Sequence, residues 1–200
     1  MCGLVRFAIV FVLIAITFLI SFTLKIKINK MVALIFVGIT SVVISIFPVE
    51  NAFCTFNSPE SVYRYMDFQN TDVEILVEGE SCDYVIGKTT KQNKYSTMVI
   101  PKNEKGWKIV NSLAVKERRI FVGSLTGYSV STIQYKDDWF IKIAFLTPGN
   151  HKIESNSECD LKKLAFSLDD GNELCEYYGH ITDPESYNLF IDGEEIKIFE

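Results

Sequence analysis

Residues 128–146 read YSVSTIQYKDDWFIKIAFL, and this stretch decides the fold class. Both halves are rich in β-branched and aromatic residues, and apolar side chains recur at alternating positions, a pattern typical of half-buried strands. The polar residues KDD separate the two halves. We therefore expect two antiparallel strands, 128–135 and 139–146, joined as a hairpin.

The turn between these strands fixes their register. If Lys136-Asp137-Asp138 forms a three-residue loop, Tyr135 pairs with Trp139 and Ile133 pairs with Ile141. In that register the adjacent carboxylates of Asp137 and Asp138 both lie at the hairpin tip. We expect solvent to surround them, with no function attached.

Similar segments recur upstream between turn residues, and they predict five further strands at 73–78, 84–89, 95–100, 107–110 and 119–125. No long amphipathic helix alternates with them, which disfavours a doubly wound parallel sheet. An antiparallel sheet with minor helical content is the better interpretation. Downstream, residues 161–168 fit either a strand or one to two helical turns, and a turn follows at 169–172.

One short helix and one further hairpin complete this expectation. Ser58, followed by Pro59 and Glu60, is a helix-start signal, and we expect that helix to end near Phe68. Near the C-terminus, Asp192-Gly193 predicts a type I′ turn. Its register makes Leu189 face Ile196 and Tyr187 face Ile198, so that the apolar residues gather on one side of the ribbon.

The N-terminal region is different in kind, because residues 7–24 and 31–47 contain no charged side chain. Each run has about the length of a helix that spans roughly 30 Å of hydrocarbon. The first run exceeds the usual apolar length of a signal peptide, and no small-residue cleavage site follows it. We expect a transmembrane helical hairpin over residues 1–48 and a β-rich domain over residues 49–200.

The orientation of this hairpin follows from its basic residues. Lys25, Lys27 and Lys30 lie in the connection between the two apolar runs and outweigh Arg6 on the other side. Basic loops stay in the cytoplasm, so both termini and the β-rich domain are expected outside, in a multi-pass protein of the cell membrane. Residues 49–200 hold 16 basic against 25 acidic side chains, a net charge of −9, which argues against a nucleic-acid partner.

Four short motifs carry a family resemblance. They are Phe56-x-x-Pro59-Glu60, Val77-Glu78-Gly79-Glu80, Ile100-Pro101-Lys102 and Gly106-Trp107-Lys108. Their order over about sixty residues resembles small, uncharacterised membrane-anchored surface proteins of Gram-positive bacteria. The resemblance implies a surface location, and it implies neither an activity nor site residues.

Cysteine is the residue type whose meaning depends on the compartment. In an exterior domain Cys54, Cys82, Cys159 and Cys175 tend to oxidise, and four thiols allow three connectivities. Cys159 and Cys175 enclose a loop of about sixteen residues, which makes them the candidate disulfide, worth roughly 3 kcal/mol. Small buried thiols are the alternative interpretation.

The sequence predicts no catalytic, cofactor or metal site. Cys175, His180 and Asp183 are close in the chain, but such triads are normally assembled from distant segments. There is no Cys-x-x-Cys and no His pair at metal-ligand spacing, and the acidic turn at 169–173 lacks the calcium-loop pattern. No phosphate loop or nucleophile elbow occurs either.

Three functions are compatible with these features. The first is a noncatalytic surface module that binds another envelope protein or a cell-wall component through its sheet. The second is an accessory subunit that acts through its helix hairpin, where Gly38, Thr40, Ser41 and Ser45 allow close packing. The third is an envelope hydrolase with dispersed carboxylates such as Asp138 or Asp160. We rank them in that order.

Overall fold

The computed structural model describes residues 8, 11–12, 14–16, 19, 30–67, 72–89, 94–123, 127–145, 149, 151–156, 159–167 and 173–199. These residues form three antiparallel sheets, several helices and the connections between them. The predicted mainly-β, antiparallel class with minor helical content is therefore confirmed. The division of the chain at residue 48 stays a prediction.

Among the described residues, the segments that precede the sheets are helical. Helix α1 is Lys30–Ile46, and the described residues between 8 and 19 are also helical. The 3₁₀ helix Val49–Ala52 follows Pro48 and leads into the β domain. No helix among the described residues combines the length and the apolar character needed to cross a membrane.

Helix α2 is Pro59–Met66, and it begins as the sequence predicts. The Ser58 hydroxyl accepts the backbone N–H of Ser61, and Pro59 occupies the first turn, where its missing N–H costs nothing. The helix ends two residues before the predicted Phe68. Val62 and Tyr63 are fully buried and pack this helix onto the first sheet.

The first sheet has strand order β1-β2-β3-β4, built from β1 Asp72–Glu78, β2 Cys82–Thr89, β3 Lys94–Asn103 and β4 Gly106–Trp107. The predicted strand at 107–110 is mostly wrong, because the ladder stops at Trp107. The backbone N–H and carbonyl of Ile109 bond to the Asn51 side chain instead. This bond ties the segment to the 3₁₀ helix, and a second 3₁₀ helix follows at Ser112–Ala114.

The second sheet is the largest, with order β5-β6-β7-β10-β9. Its strands are β5 Val115–Gly123, β6 Tyr128–Tyr135, β7 Asp138–Phe145, β9 Lys162–Ser167 and β10 Glu173–Ile181. The strand alternative for residues 161–168 is therefore correct.

The register predicted for the β6–β7 hairpin is wrong by one residue. Tyr135 pairs with Asp138, not with Trp139, and Ile133 pairs with Phe140, not with Ile141. The turn contains two residues, and Lys136 adopts φ +52°, which allows this tighter connection without glycine. The shift moves Asp138 from the expected hairpin tip into the strand.

The third sheet has order β12-β11-β8, with β8 Ile153–Ser155, β11 Leu189–Ile191 and β12 Glu194–Ile196. Asp192 and Gly193 both have positive φ, and Leu189 pairs with Ile196, as predicted. The predicted pairing of Tyr187 with Ile198 lies beyond this short ladder, although both residues are buried.

Two apolar cores join the sheets. One core lies between the first and second sheets and includes Tyr84, Phe140 and Tyr178. The other joins the second sheet to the third and includes Ile141, Ile143 and Leu189. β7 therefore contributes alternate side chains to both cores, which places the start of this strand at a junction between two sheets.

Candidate functional site

The most unusual buried group of the described residues is the carboxylate of Asp138, the first residue of β7. Its exposed fraction is 2%, whereas its neighbour Asp137 in the turn is exposed. A buried carboxylate is costly unless several donors surround it. The expectation that Asp138 is solvated is therefore wrong, because the two-residue turn directs it into the protein.

The connection between β1 and β2 supplies most of those donors. Oδ1 of Asp138 accepts the backbone N–H of Glu80 at 2.7 Å, and Oδ2 accepts those of Ser81 and Cys82 at 2.7 and 3.0 Å. The Ser81 hydroxyl adds a bond of 2.6 Å to Oδ2. Three consecutive amides converging on one anion resemble the backbone nests that bind anions in other proteins.

Residues of the second sheet complete this site. Nε2–H of His180, on the neighbouring strand β10, donates to Oδ1 of Asp138 at 2.9 Å. The His180 ring lies 5.2 Å from the ring of Phe140, centroid to centroid. We call Ser81, Cys82, Asp138 and His180 the Asp138 centre; it joins the first sheet to the second through one carboxylate.

Gly79 allows the β1–β2 connection to approach this closely. A Cβ atom at residue 79 would lie 2.6 Å from the carbonyl oxygen of Cys82 and 2.8 Å from Oδ1 of Asp138. Both distances are far shorter than van der Waals contact. Glycine is required here because a side chain at residue 79 would collide with the Cys82 carbonyl and the Asp138 carboxylate.

Burial and hydrogen bonding act in opposite directions on the Asp138 carboxyl. Burial raises its pKa. The hydrogen bonds from the Ser81 hydroxyl, the Glu80 and Ser81 amides and His180 lower the pKa by more than burial raises it, to about 2. The group is therefore ionised at neutral pH. An ionised carboxylate whose two oxygens each accept from at least two protein donors is well suited to hold structure together.

The thiol of Cys82 lies beside this carboxylate and is fully buried. Its Sγ is 3.5 Å from Oδ2 of Asp138. Burial, followed by the charge of Asp138 and the hydrogen bond to it, raises the pKa of the thiol far above its usual range. A reactive cysteine needs the opposite environment, one that favours the thiolate. The centre thus contains a thiol, a carboxylate and an imidazole without the electrostatics of a nucleophile.

The residues of the sequence triad are not brought together. His180 contacts Asp138, whereas Asp183 accepts the Ser186 hydroxyl and the Glu185 amide in a turn. Cys175 and His180 are five positions apart on β10, so their side chains project from opposite faces of the sheet. Asp160, the other carboxylate considered for hydrolysis, is exposed.

The candidate disulfide residues are present as free thiols. Cys159 lies against Gly179 of β10, and Cys175 is four residues away on that strand. Four strand residues correspond to about 13 Å, whereas a disulfide needs Cα atoms within about 7 Å. The pairing stays a prediction, and it requires the segment that carries Cys159 to move.

Of the predicted topology residues, Lys30 begins α1, and Lys25 and Lys27 lie outside the described residues. Most of the acidic turn at 169–173 lies outside them as well. Among the described residues no group of three or more His, Cys, Asp or Glu side chains is placed to hold a metal ion.

Sequence reasoning missed the Asp138 centre. A two-residue turn at Lys136-Asp137 is an alternative way to join the same two strands, and it places Asp138 at an inward position. The amides that bind the carboxylate come from residues 56 to 58 positions earlier in the chain. No local pattern indicates that contact.

No protein-family model, curated protein or solved structure matches this chain.

Proposed function

We propose that this chain is a membrane-anchored β domain that acts without catalysis, as a binding or accessory module at the outer face of the cell membrane. The observation that carries this proposal is the exposed apolar face of α1. Its members are Met31, Val32, Ile35, Phe36, Ile39, Val42 and Val43, each exposed by 46% or more. At 100° per residue they cover a sector of about 140°.

An apolar face of this size favours contact with lipid. The 17 residues of α1 extend over about 25 Å, and a bilayer accommodates a slightly short helix by thinning. Upstream, Phe11, Val12, Ile16 and Leu19 are helical and exposed as well. Two apolar helical segments separated by a basic connection support the predicted hairpin, with its lysines in the cytoplasm.

The absence of catalysis in this proposal is supported by the Asp138 centre. Both oxygens of Asp138 accept donors of the protein itself, and the Cys82 thiol is buried and protonated. These groups therefore bind one another and hold the two sheets together. A hydrolase needs a base that is free to accept a proton and a nucleophile that the substrate can reach, and neither the Asp138 carboxylate nor the buried Cys82 thiol meets these requirements.

The second ranked function, an accessory subunit acting through the helices, has weaker support. The Thr40 and Ser41 hydroxyls donate to the carbonyls of Phe36 and Val37 within α1. A Cβ atom at Gly38 would meet no atom within 4 Å in the described structure. Among the described residues, Gly38 therefore makes no close helix contact, and a binding role of the β domain is preferred.

Membrane fractionation tests the anchor. We expect the full chain to sediment with membranes and to remain there after alkaline carbonate extraction, because the apolar face of α1 lies in the hydrocarbon. Removing residues 1–47 should release a folded chain into the supernatant. Leu113→Lys is the matched control, since Leu113 is 69% exposed and lies in the β domain, and this variant should stay with the membranes. A full chain that carbonate extracts completely contradicts the proposal.

A further inference from the structure

An open groove of about 410 Å³ lies where α1 leads into the β domain. Phe47, Pro48 and Val49, which follow the helix, line one side. The other side is formed by the end of β3, the segment after β4 and the β6–β7 turn. Its lysine and asparagine side chains are Lys102, Lys108, Lys136, Asn51, Asn103 and Asn111.

The accessible charge of this groove is positive. Three ammonium groups line it, and no carboxylate is among the lining residues. Asp83 and Glu50 are buried, with exposed fractions of 2% and 3%. The exposed carboxylates of Glu104 and Asp137 adjoin lining residues in the chain but are not part of the lining. Oδ1 of Asp83 lies 3.1 Å from Nζ of Lys102, and Oδ2 of Asp83 accepts the indole N–H of Trp107. The groove is basic although the domain as a whole is acidic, so the positive charge is local.

The three lysines differ in what they offer to an anion. Nζ of Lys108 donates to the carbonyls of Asn51 and Cys54 and to the Thr55 hydroxyl, so this lysine contributes charge without a spare proton. Lys102 gives one bond to Asp83 and retains two donors. Lys136, in the β6–β7 turn, is exposed. Two of the three ammonium groups can therefore bind an anion directly.

Two asparagines add neutral donors. The Asn103 carbonyl oxygen accepts the Lys105 amide, and that of Asn111 accepts the Leu113 amide. These bonds fix the orientation of both carboxamides and direct their –NH₂ groups away from the bonded backbone. A rim that combines ammonium groups with amide donors suits phosphate oxygens, which accept several hydrogen bonds at once.

The position of the groove indicates that a phosphate bound there belongs to a lipid. Its lining begins at Phe47, directly after the last residue of α1. The headgroup layer extends roughly 5–8 Å beyond the hydrocarbon on each side of a bilayer. If α1 lies in the membrane, the groove is held at the depth of the lipid phosphates.

We propose that this groove binds the phosphate of an anionic lipid headgroup in the leaflet into which α1 is inserted. The inference rests on the proposed membrane anchor. It adds to that anchor the class of ligand that is bound where α1 meets the β domain. Binding a headgroup there fixes the tilt of the β domain against the membrane.

The test uses the full chain in lipid nanodiscs and measures amide hydrogen exchange of residues 49–52 and 102–109. We compare discs of pure phosphatidylcholine with discs that also contain phosphatidylglycerol. A third sample has phosphatidylcholine discs with added inorganic phosphate. In the discs with phosphatidylglycerol we expect exchange of these residues to slow by roughly fivefold, the factor that corresponds to about 1 kcal/mol.

The groove variant for this test is Asn103→Asp with Lys136→Glu, which lowers the charge of the lining by three. Aspartate at 103 still accepts the Lys105 amide, so the local turn is kept. Its matched control is Asn188→Asp with Lys197→Glu, an equal charge change at exposed positions that do not line the groove. The groove variant should lose the slowing, whereas the control should keep it.

Four results overturn the inference. The groove is not the binding site if exchange is equally fast in discs with and without phosphatidylglycerol. The same conclusion follows if phosphatidylglycerol slows exchange as much in the groove variant as in the native chain. Slowing by inorganic phosphate alone shows a free anion as the ligand instead of a lipid. In each of these three cases, a chain that is inserted in the discs leaves the proposed anchor standing. A chain that does not enter nanodiscs at all overturns the anchor together with this inference.

Discussion

Replacing Asp138 by asparagine is expected to destabilise the β domain by roughly 3–5 kcal/mol, because the amides and hydroxyl that the carboxylate binds lose their acceptor while still buried. The –NH₂ group of asparagine replaces one of the two oxygens, and it must then face the N–H or O–H donors that this oxygen accepted. Since whole domains are stable by about 5–15 kcal/mol, this is one of the largest effects available from one substitution. Urea unfolding of the chain lacking residues 1–47, measured at pH 7, gives the free-energy difference.

The neighbouring residue provides the control. Asp137→Asn changes the same functional group one position earlier, in the exposed turn, and should alter the unfolding free energy by less than about 0.5 kcal/mol. Equal effects of the two substitutions contradict a structural role for the Asp138 carboxylate.

The pH dependence of this difference can be derived from the pKa of Asp138. The carboxyl has a pKa of about 2 in the folded domain and 3.8 as the reference value, so the unfolded state binds its proton first as the pH falls. The stabilisation, about 2 kcal/mol, is fully present above pH 4 and disappears towards pH 2. The stability difference between the native chain and Asp138→Asn should shrink over that interval.

Ending the chain at Glu185 is expected to unfold the β domain. The removed ribbon carries five buried apolar side chains, Tyr187, Leu189, Ile191, Ile196 and Ile198, each exposed by 5% or less. They pack on the outer face of the second sheet. At about 1.5–3 kcal/mol per large side chain, their burial is comparable with the stability of a whole domain.

Two point variants separate this packing from chain length. Leu189→Ala should cost roughly 2–5 kcal/mol because Leu189 is fully buried, whereas Glu195→Ala, in the same hairpin but exposed, should cost little. Thermal melting and amide exchange report both changes. A truncated chain that keeps the melting temperature and exchange protection of the native domain shows that the ribbon is an appendage.

The features that sequence reasoning predicted well are those set by local chemistry. Ser58 and Pro59 specify the start of α2 by themselves, and Asp192-Gly193 specifies the turn that aligns Leu189 with Ile196. Alternating apolar residues located β6 correctly to the residue. Each of these signals lies within about ten residues of the element that it determines.

The features that it missed depend on contacts between distant segments or on a turn without a typical residue. Lys136 adopts a positive φ that sequence preference would assign to glycine or asparagine, so the turn was expected to be one residue longer. That single error placed Asp138 in solvent. The amides of residues 80–82 and the imidazole of His180 reach Asp138 only through the packing of two sheets.

The basic groove was missed for a similar reason. Lys102 and Lys108 lie at the two ends of the β3–β4 hairpin, whereas Lys136 lies in the β6–β7 turn, 28 residues further along the chain. The net charge of residues 49–200 indicated an acidic surface, which hid the local positive charge. Only the fold brings these lysines together beside the end of α1.

Cysteine labelling in intact cells tests most directly whether the domain is anchored at the outer face and whether its buried centre is structural. Cys54 is an exposed free thiol six residues after Pro48, and Cys82 is a fully buried thiol in the Asp138 centre. A membrane-impermeant maleimide should label Cys54 on intact cells. Peptide mass spectrometry should show Cys82 labelled only after denaturation. Labelling of Cys82 as fast as Cys54 in the native protein, or of Cys54 only after the cells are permeabilised, would contradict this interpretation.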